Sequence, residues 1–394
     1  MAVFTNFLSF KKIFKLEKIF INHSKSLYTN TAPLIITSSR AERIFEDHLE
    51  KMCECNDDAS KFKFGYNVVK EIFCDKEICI NSLISERNRE LIEYNLDGGR
   101  YKRVKVFLNT YENLVPKTKF LERPRLQAYV MACLNQLLLT SLMMIDDAID
   151  DSKMRRNKPT WHNKVGRLIC NDPFLLGTGV YTVMRNLFEK EPFYLPCLNV
   201  FYEIFWWGGC SVWLDYCSLD VLGRNAKFCN WDVHRTINTT EIGSTSFQAP
   251  LFSALHMAEY NFDSIRNELI EICALLGFIV KDQNDYCDRY SKTQGKTPDE
   301  DIRLGKLTWF ILTALEQSDA EQKKILQECY GKDNPECMNA VINVYDQLHL
   351  EEKFFQHEEQ LINYIVKRVE KISDEKMRRV LLDCLHTAEN WYKD

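Results

Sequence analysis

The sequence predicts an all-α protein. Helix-breaking residues are scarce, because the chain of 394 residues contains 14 Gly and 10 Pro, about half of the usual share of roughly 12% for the pair. Apolar residues recur three and four positions apart over long stretches, which is the spacing of an amphipathic helix. We find no stretch with the alternating period of two that is typical of a half-buried strand.

Five runs carry this helical spacing, and short polar breaks separate them. In chain order they cover residues 125–149, 166–188, 198–221, 265–287 and 306–317. The first contains an uncharged stretch, 126–145, which polar residues interrupt and four aspartates follow, so we expect a buried core helix and not a membrane span. The sequence shows no internal repeat, and we predict one large helical domain over residues 41–394.

The first forty residues differ from the rest of the chain. They contain six basic residues and a single acid, Glu17, with apolar residues at helical spacing. This combination is typical of a mitochondrial presequence, and the alternative is a basic extension of a cytoplasmic enzyme. We therefore expect either a mitochondrial or a cytoplasmic protein.

Charge and cysteine content exclude several classes of protein. A formal charge of −5 gives no reason to expect a nucleic-acid partner. The 15 cysteines form no CxxC pair and no His/Cys set that would suit zinc. Buried free thiols in a reducing compartment explain most of them.

An acidic cluster follows the longest apolar run. Asp146 and Asp150 lie four residues apart and share one helix face, and Asp147 lies beside them. Carboxylates at the end of an apolar helix need a cation, and oxygen-only ligands favour a hard ion such as Mg²⁺. Arg155 and Arg156 come next, and a pair of guanidinium groups suits the oxygens of a diphosphate.

A second cluster follows the apolar helix 270–280. Asn284, Asp285 and Asp288 lie on it, and Lys296 and Lys306 come after it. Two acidic helix ends with separate basic residues predict a Mg²⁺–diphosphate cage, with three ions expected, at the mouth of a helical bundle. A central apolar cavity below the cage could hold a hydrocarbon tail.

These motifs resemble those of the isoprenyl diphosphate synthase family, and within it the farnesyl diphosphate synthases. The residues 146–150 match the family's first aspartate-rich motif, and the segment 98–103, with Arg100 and Arg103, looks like its early GGKxxR segment. Leu214-Asp215 looks like its mid-chain LD pair. The resemblance covers residues 90 to 320 and implies the isoprenoid synthase fold, an allylic diphosphate substrate and Mg²⁺. Family members usually pair, so a homodimer is expected as one option.

The departures from the family pattern concern the site for the second substrate, isopentenyl diphosphate. Asn284 replaces the first aspartate of the second motif, and Leu139 and Glu241 replace a Gln and a Lys. Lys281 stands where the family has Gln. A glutamate in place of a lysine would repel a diphosphate, so we expect this site to be weakened.

The positions five and four residues before the first motif set the depth of the cavity in the family. Farnesyl-length enzymes carry two bulky aromatic residues there, and this chain has Ser141 and Leu142. The resemblance therefore implies a deeper cavity that accepts a longer chain.

Our leading hypothesis from these departures is a terpene synthase, similar to the insect enzymes derived from farnesyl diphosphate synthases. It would ionise farnesyl diphosphate with Asp146, Asp147, Asp150, Arg155 and Lys296 as catalytic residues, and release a sesquiterpene or its alcohol. The candidates to stabilise the cation are aromatic residues of one helix: Phe205, Trp206, Trp207 and Trp213.

Two alternatives stay open. The first is a prenyltransferase that makes farnesyl or geranylgeranyl diphosphate from isopentenyl and allylic diphosphates. Arg100, Arg103 and Arg156 favour it because they keep the second site basic. The second is a non-catalytic subunit that regulates such a synthase, which the retained acidic residues disfavour.

Overall fold

The computed structural model describes residues 38–79, 81–96, 98–119, 121–290 and 298–392. Helices make up most of these ranges, which confirms the predicted all-α class. Residues 1–37, which hold nearly all of the predicted basic extension, lie outside the described residues. Lys296 also lies outside them.

The described helices follow each other with short connections. The first half of the chain contains α1 (Ser38–Glu54), α2 (Asp58–Cys74), α3 (Lys76–Cys79), α4 (Ser82–Leu96), α5 (Lys102–Leu114), α6 (Glu122–Ile149), the strands β1 (Met154–Arg155) and β2 (Lys158–Pro159), α7 (Trp161–Val165) and α8 (Asp172–Phe188). The second half contains α9 (Tyr194–Cys217), α10 (Trp231–Ile237), a π-helical segment (Asn238–Gln248), α11 (Ala249–Met257), α12 (Arg266–Tyr290), α13 (Glu300–Leu304), α14 (Trp309–Gln317), α15 (Ala320–Cys329), α16 (Pro335–Gln347), α17 (Leu350–Val369) and α18 (Glu375–Glu389).

The five predicted runs correspond to α6, α8, α9, α12 and α14, with ends that move by a few residues. The exception is the run 166–188, which starts with a 3₁₀ turn at residues 166–170 before α8 begins. Gly166 has a positive φ of 59°, a backbone conformation that an α-helix cannot continue through.

Helix α6 is the central helix of the bundle. All of its residues from 126 to 142 are buried, because helices pack around its whole circumference. Among the described residues, it is the one helix with the length and composition of a membrane span, and 89% of that stretch is buried inside the protein. Such burial is typical of a core helix, as predicted.

The buried apolar residues form two groups. The larger group surrounds α6 and includes side chains from α1, α2, α5, α8, α9, α11, α12 and α18. The smaller group joins α13 to α17 with the segment that follows α9. The acidic ends of α6 and α9 lie near the junction of these groups, where Lys306 in the connection before α14 reaches Asp150 of α6.

Helix α12 and the π-helical segment pack closely through two glycines. A Cβ added at Gly277 would come within 2.5 Å of the backbone nitrogen of Gly243 and 2.6 Å of the carbonyl oxygen of Asn238. Real Cβ atoms do not approach other atoms so closely, so the two glycines are needed at this crossing. The crossing holds Glu241 beside Lys281, which lies one turn of α12 beyond Gly277.

Candidate active site

Three carboxylates from two helices form the first acidic group. Asp146 and Asp150 lie one turn apart at the end of α6, and Asp215 lies in the last turn of α9. Their oxygen atoms lie within 4.8 Å of one another. Carboxylate oxygens at this spacing can hold a hard divalent cation, so the donor set fits a metal ion.

Asp147 does not belong to this group. Its side chain is buried, and Arg155 on β1 holds it with two hydrogen bonds from Nε at 3.1 Å and a further one from Nη2. The same Nη2 lies 4.0 Å from Asp146. The structure therefore separates Asp147 from the carboxylates with which the sequence grouped it, because an adjacent helix position faces a different direction.

Two half-buried lysines lie beside the first acidic group. Nζ of Lys306 donates to Asp150 at 2.9 Å. Nζ of Lys281, on α12, donates to Glu241 at 2.7 Å and lies 3.4 Å from Asp215. These contacts join the ends of α6 and α9 to α12 and to the segment before α14.

The acidic group carries more negative than positive charge. Burial, together with the carboxylates of Glu241, Asp150 and Asp215, raises the pKa of Asp146 to about 8. A carboxyl group that holds its proton this strongly lies where a cation would be bound favourably.

The second cluster lies deeper in the protein. The carboxylate of Asp285 accepts a hydrogen bond from the backbone nitrogen of Trp309 at 3.1 Å. The carboxylate of Asp288 accepts one from the backbone nitrogen of Asp301, also at 3.1 Å. Both carboxylates are buried, whereas Asn284 is half-buried. Their backbone hydrogen bonds tie α12 to α13 and α14.

Asp285 forms its own group with two other buried residues. Its carboxylate, that of Asp282 and the ring of His234 lie within 4.8 Å of one another. Asp282 also accepts a hydrogen bond from Asn238 at 3.3 Å and lies 3.1 Å from Nε2 of His357. This buried His–Asp group was not predicted from the sequence, because His234 lies on α10, far along the chain from Asp282 and Asp285 on α12.

The basic segment at the start of α5 forms a separate surface. Arg100 donates to the carbonyl oxygen of Trp391 at 2.7 Å, and Lys102 donates to that of Asn390 at 3.1 Å. Arg103 donates to Ser246 at 3.0 Å, and its guanidinium lies 5.5 Å from the centre of the Trp391 ring. The residues that follow α18 therefore pack on this segment.

Arg156 completes the basic surface. It lies in the turn between β1 and β2 with a positive φ of 53°, and Nη1 donates to the carbonyl oxygen of Asn95. Its guanidinium faces Gly99, where a Cβ would lie 3.2 Å from Cζ. Burial and the nearby guanidinium of Arg156 lower the pKa of Arg103 to about 9. Crowded cations of this kind favour an anionic ligand.

Ser141 and Leu142 are both buried in the middle of the bundle. Ser141 lies against Gly177 of α8, and the ring of Phe205 from α9 reaches the same place. Leu142 packs on Gly208 of α9. Thus Phe205 fills part of the space that the small Ser141 leaves.

The prediction that tryptophans of α9 line a cavity is wrong. Trp206 and Trp213 are 66% and 61% exposed, and Trp207 is 44% exposed. Phe205, by contrast, is half-buried and contacts Tyr181 edge to face at 6.4 Å. Adjacent positions of a helix point in different directions, so the aromatic run could not all face inward.

Comparison with known proteins identifies the family. The family model described as polyprenyl synthetase matches residues 85–348, which is more than half of the chain. The chain belongs to the polyprenyl synthetase family. This result confirms the resemblance to isoprenyl diphosphate synthases.

Curated relatives from this family align with most of the chain. A farnesyl pyrophosphate synthase from Cannabis sativa is 28% identical over 82% of this chain and 95% of its own length. A farnesyl pyrophosphate synthase from Zea mays is 28% identical over 75% of this chain and 85% of its own length. One from Rattus norvegicus is 27% identical over 73% of this chain and 82% of its own length.

The leading hypothesis of a terpene synthase is therefore wrong. The relatives are named as farnesyl pyrophosphate synthases, which are prenyltransferases, and they favour the first alternative. The structure also removes one physical argument for that hypothesis. Glu241 does not present an isolated negative charge, because Lys281 lies 2.7 Å from it, so that the departures at positions 241 and 281 form one ion pair.

Three features of the site were not assigned from the sequence. Asp215 was noted as part of the LD pair but not as a ligand, although its resemblance to a family motif could have suggested this. Lys281 was considered only as a departure. Asn390 and Trp391 carry no chemical pattern that would place them beside Arg100.

Proposed function

We propose that the protein is a short-chain prenyltransferase. It joins isopentenyl diphosphate to an allylic diphosphate and produces farnesyl or geranylgeranyl diphosphate and inorganic diphosphate. The observation that carries this proposal is the presence of two differently charged surfaces. The acidic group of Asp146, Asp150 and Asp215 suits one metal-bound diphosphate, and the basic surface suits a second.

The basic surface distinguishes coupling of two diphosphates from ionisation of one. Ionisation of a single allylic diphosphate requires one site for phosphate groups, whereas coupling requires two. Arg100, Arg103 and Arg156 occupy the second site, where burial and the repulsion from the guanidinium of Arg156 lower the pKa of Arg103. A bound diphosphate would relieve that repulsion.

Mg²⁺ is the cofactor that we propose for the acidic site, with three ions. Asp146, Asp150 and Asp215 would hold ions on one side, and Asn284, Asp285 and Asp288 of the second cluster on the other. Bound Mg²⁺ would supply charge neutralisation to the leaving diphosphate.

The side chains have distinct parts in the reaction. Lys306 and Arg155 would neutralise and orient the allylic diphosphate, while Arg100, Arg103 and Arg156 hold isopentenyl diphosphate with its double bond towards the allylic C1. The C–O bond at C1 breaks, the C4 carbon of isopentenyl diphosphate bonds to C1, and a proton leaves C2. Lys296 stays a predicted site residue, because it lies outside the described residues.

The product length depends on the end of the cavity. Ser141 and Leu142 favour a product longer than farnesyl diphosphate, and Phe205 beside Gly177 limits that length. We therefore keep both farnesyl and geranylgeranyl diphosphate as the proposed products.

The location of the protein stays open between two compartments. One relative from Arabidopsis thaliana is named mitochondrial, whereas the name of the Cannabis sativa relative states no compartment. The basic residues before position 41 support the mitochondrial option. We propose that they form an extension outside the domain of residues 41–394.

We also infer a homodimer. Tyr202, Trp206 and Trp213 on α9, together with Leu195, are each more than half exposed and follow one another at intervals of seven, four and seven residues. Such spacing places them on one helix face, and an exposed apolar face of this kind is typical of a protein–protein interface.

The coupling reaction can be tested directly. Protein with Mg²⁺ is given isopentenyl and geranyl diphosphates in one reaction and farnesyl diphosphate alone in another, and the products are analysed by mass spectrometry and gas chromatography. We expect longer prenyl diphosphates in the first reaction and no volatile terpene in the second.

A matched pair of variants assigns the second site. Arg103→Gln should raise the KM for isopentenyl diphosphate by about tenfold or more, whereas Arg235→Gln, at an exposed position on α10, should leave it unchanged. A sesquiterpene from farnesyl diphosphate alone, with no chain growth, would contradict the proposal.

A further inference from the structure

Lys281 occupies a position where several charges meet. Its side chain is mostly buried on α12, and Nζ lies 2.7 Å from Oε2 of Glu241 and 3.4 Å from Oδ1 of Asp215. Although burial lowers it, the carboxylates of Asp215 and Glu241 raise the pKa of Lys281 well above its usual range. Lys281 is therefore a largely buried cation with two acidic partners.

The two partners have different positions in the site. Asp215 belongs to the acidic group with Asp146 and Asp150, whereas Glu241 stands apart on the π-helical segment. Glu241 nevertheless acts on that group, since its carboxylate is one of the charges that raise the pKa of Asp146. Without a cation beside it, Glu241 would add negative charge where a diphosphate must bind.

Lys306 cannot take the place of Lys281 as the cation beside Glu241. Its Nζ donates to Asp150 at 2.9 Å, on the α6 side of the acidic group. Lys281 approaches from α12 and is the partner that contacts Glu241 directly. Both lysines act on Asp215, but the shortest hydrogen bond of Lys306 goes to Asp150 and that of Lys281 goes to Glu241.

We propose that Lys281 and Glu241 form one charge pair that determines the affinity of the site for the allylic diphosphate. Lys281 cancels the charge of Glu241, and Glu241 and Asp215 together hold its ammonium group at the acidic site. The inference rests on the proposed prenyltransferase function, because it assigns the pair to the allylic substrate of that reaction. It makes Lys281 a specificity-determining residue.

A purely structural ion pair is the competing explanation. Loss of one partner from a buried pair destabilises a protein because the other charge stays buried without compensation. Stability alone cannot separate the two explanations, so the test must also measure diphosphate binding.

The test uses four variants: Lys281→Gln, Glu241→Gln, the double variant with both changes, and the reciprocal exchange Lys281→Glu with Glu241→Lys. For each, we would measure the KM for geranyl diphosphate at saturating isopentenyl diphosphate. Calorimetry would give the Kd of inorganic pyrophosphate with Mg²⁺, and thermal unfolding would report stability. Lys324→Gln, on the exposed face of α15, is the matched control.

We expect Lys281→Gln to raise both the KM for geranyl diphosphate and the Kd of pyrophosphate by about ten- to a hundredfold. The double variant should recover most of this loss, because the charge of Glu241 is removed together with that of Lys281. The reciprocal exchange should bind pyrophosphate better than Lys281→Gln. The KM for isopentenyl diphosphate should change little in all four variants.

Two results would overturn the proposal. In one, Lys281→Gln lowers the unfolding temperature but leaves the Kd of pyrophosphate unchanged, as a structural pair would. In the other, the double variant binds pyrophosphate no better than Lys281→Gln. Failure of the proposed function is a separate result, because the wild-type protein would then bind pyrophosphate with Mg²⁺ and still not couple the two substrates.

Discussion

At the scale of single residues, the environment of Asp146 explains why the acidic group needs a cation. Asp150 and Asp215 lie close to it, and Glu241 adds a further negative charge. Asp147, one position along the chain, faces Arg155 instead. The carboxylates of one motif therefore have two different environments, and only the three-dimensional arrangement separates them.

The raised pKa of Asp146 predicts that metal binding depends on pH. In the metal-free protein, Asp146 holds its proton up to a pH of about 8, whereas a metal ion requires the carboxylate. The apparent Mg²⁺ affinity should thus rise between pH of about 6 and 9, with release of up to about one proton at pH 7. The raised pKa also means that the metal-free protein should lose stability as the pH rises from about 4 to about 8, because the carboxyl group of the unfolded chain loses its proton first.

Calorimetry in buffers with different ionisation enthalpies measures this proton release. Asp215→Asn should weaken Mg²⁺ binding and also reduce the proton release, since one of the charges that raise the pKa of Asp146 is gone. Asp232→Asn, a highly exposed position, should change neither. Mg²⁺ binding without net proton release at pH 7 would show that Asp146 is already ionised.

At the scale of the elements, the crossing of α12 with the π-helical segment positions the charges of the site. Gly277 and Gly243 allow the two backbones to touch, and this contact holds Lys281 and Glu241 together. Both glycines lie inside helical segments, where a glycine costs about 1 kcal/mol relative to alanine. The close approach of the two backbones explains why glycine stands at both positions despite this cost.

We expect Gly277→Ala to lower the free energy of unfolding by about 1–3 kcal/mol, because its Cβ would meet backbone atoms that cannot rotate away. It should also reduce turnover, since Lys281 moves away from Glu241. Chemical denaturation and steady-state kinetics measure the two effects. Asn267→Ala, on the exposed face of the same helix, should be neutral. A Gly277→Ala variant as stable as wild type would mean that the crossing adjusts freely.

The exposed face of α9 predicts the oligomeric state. Replacement of Trp206 and Trp213 by Glu should produce a monomer, because four large apolar side chains then no longer form a continuous face. Sedimentation at micromolar concentration distinguishes monomer from dimer. Leu83→Glu, at a 71% exposed position on α4, is the control and should not change the mass. Equal masses for the wild type and the double variant would refute this interface.

At the scale of the whole molecule, the helices form one bundle around α6, with the smaller C-terminal group closing one side. Helix α1 belongs to the bundle, because Ala41, Ile44, Phe45 and Met52 are all buried in it. The start of the folded domain near residue 41 stays a prediction.

Two deletions test this boundary. A protein that begins at Ser38 should keep the unfolding temperature and the activity of the full chain. A protein that begins at Asn56 lacks α1 and should be several kcal/mol less stable, at about 1.5–3 kcal/mol for each large buried side chain lost. Thermal unfolding and the coupling assay provide both readouts. If removal of residues 1–37 abolished activity, the basic segment would be part of the catalytic domain.

The sequence by itself determined the fold class, the central buried helix and the two acidic clusters, because each depends on local spacing along a helix. It could not determine which carboxylates meet, since Asp215 joins Asp146 and Asp150 only through the packing of α9 against α6. Taken alone, Glu241 indicated repulsion of a diphosphate, and this suggested the wrong reaction. Only the tertiary structure brings Lys281 to it across the crossing of two helices, because the interaction of two charges depends on their distance in space.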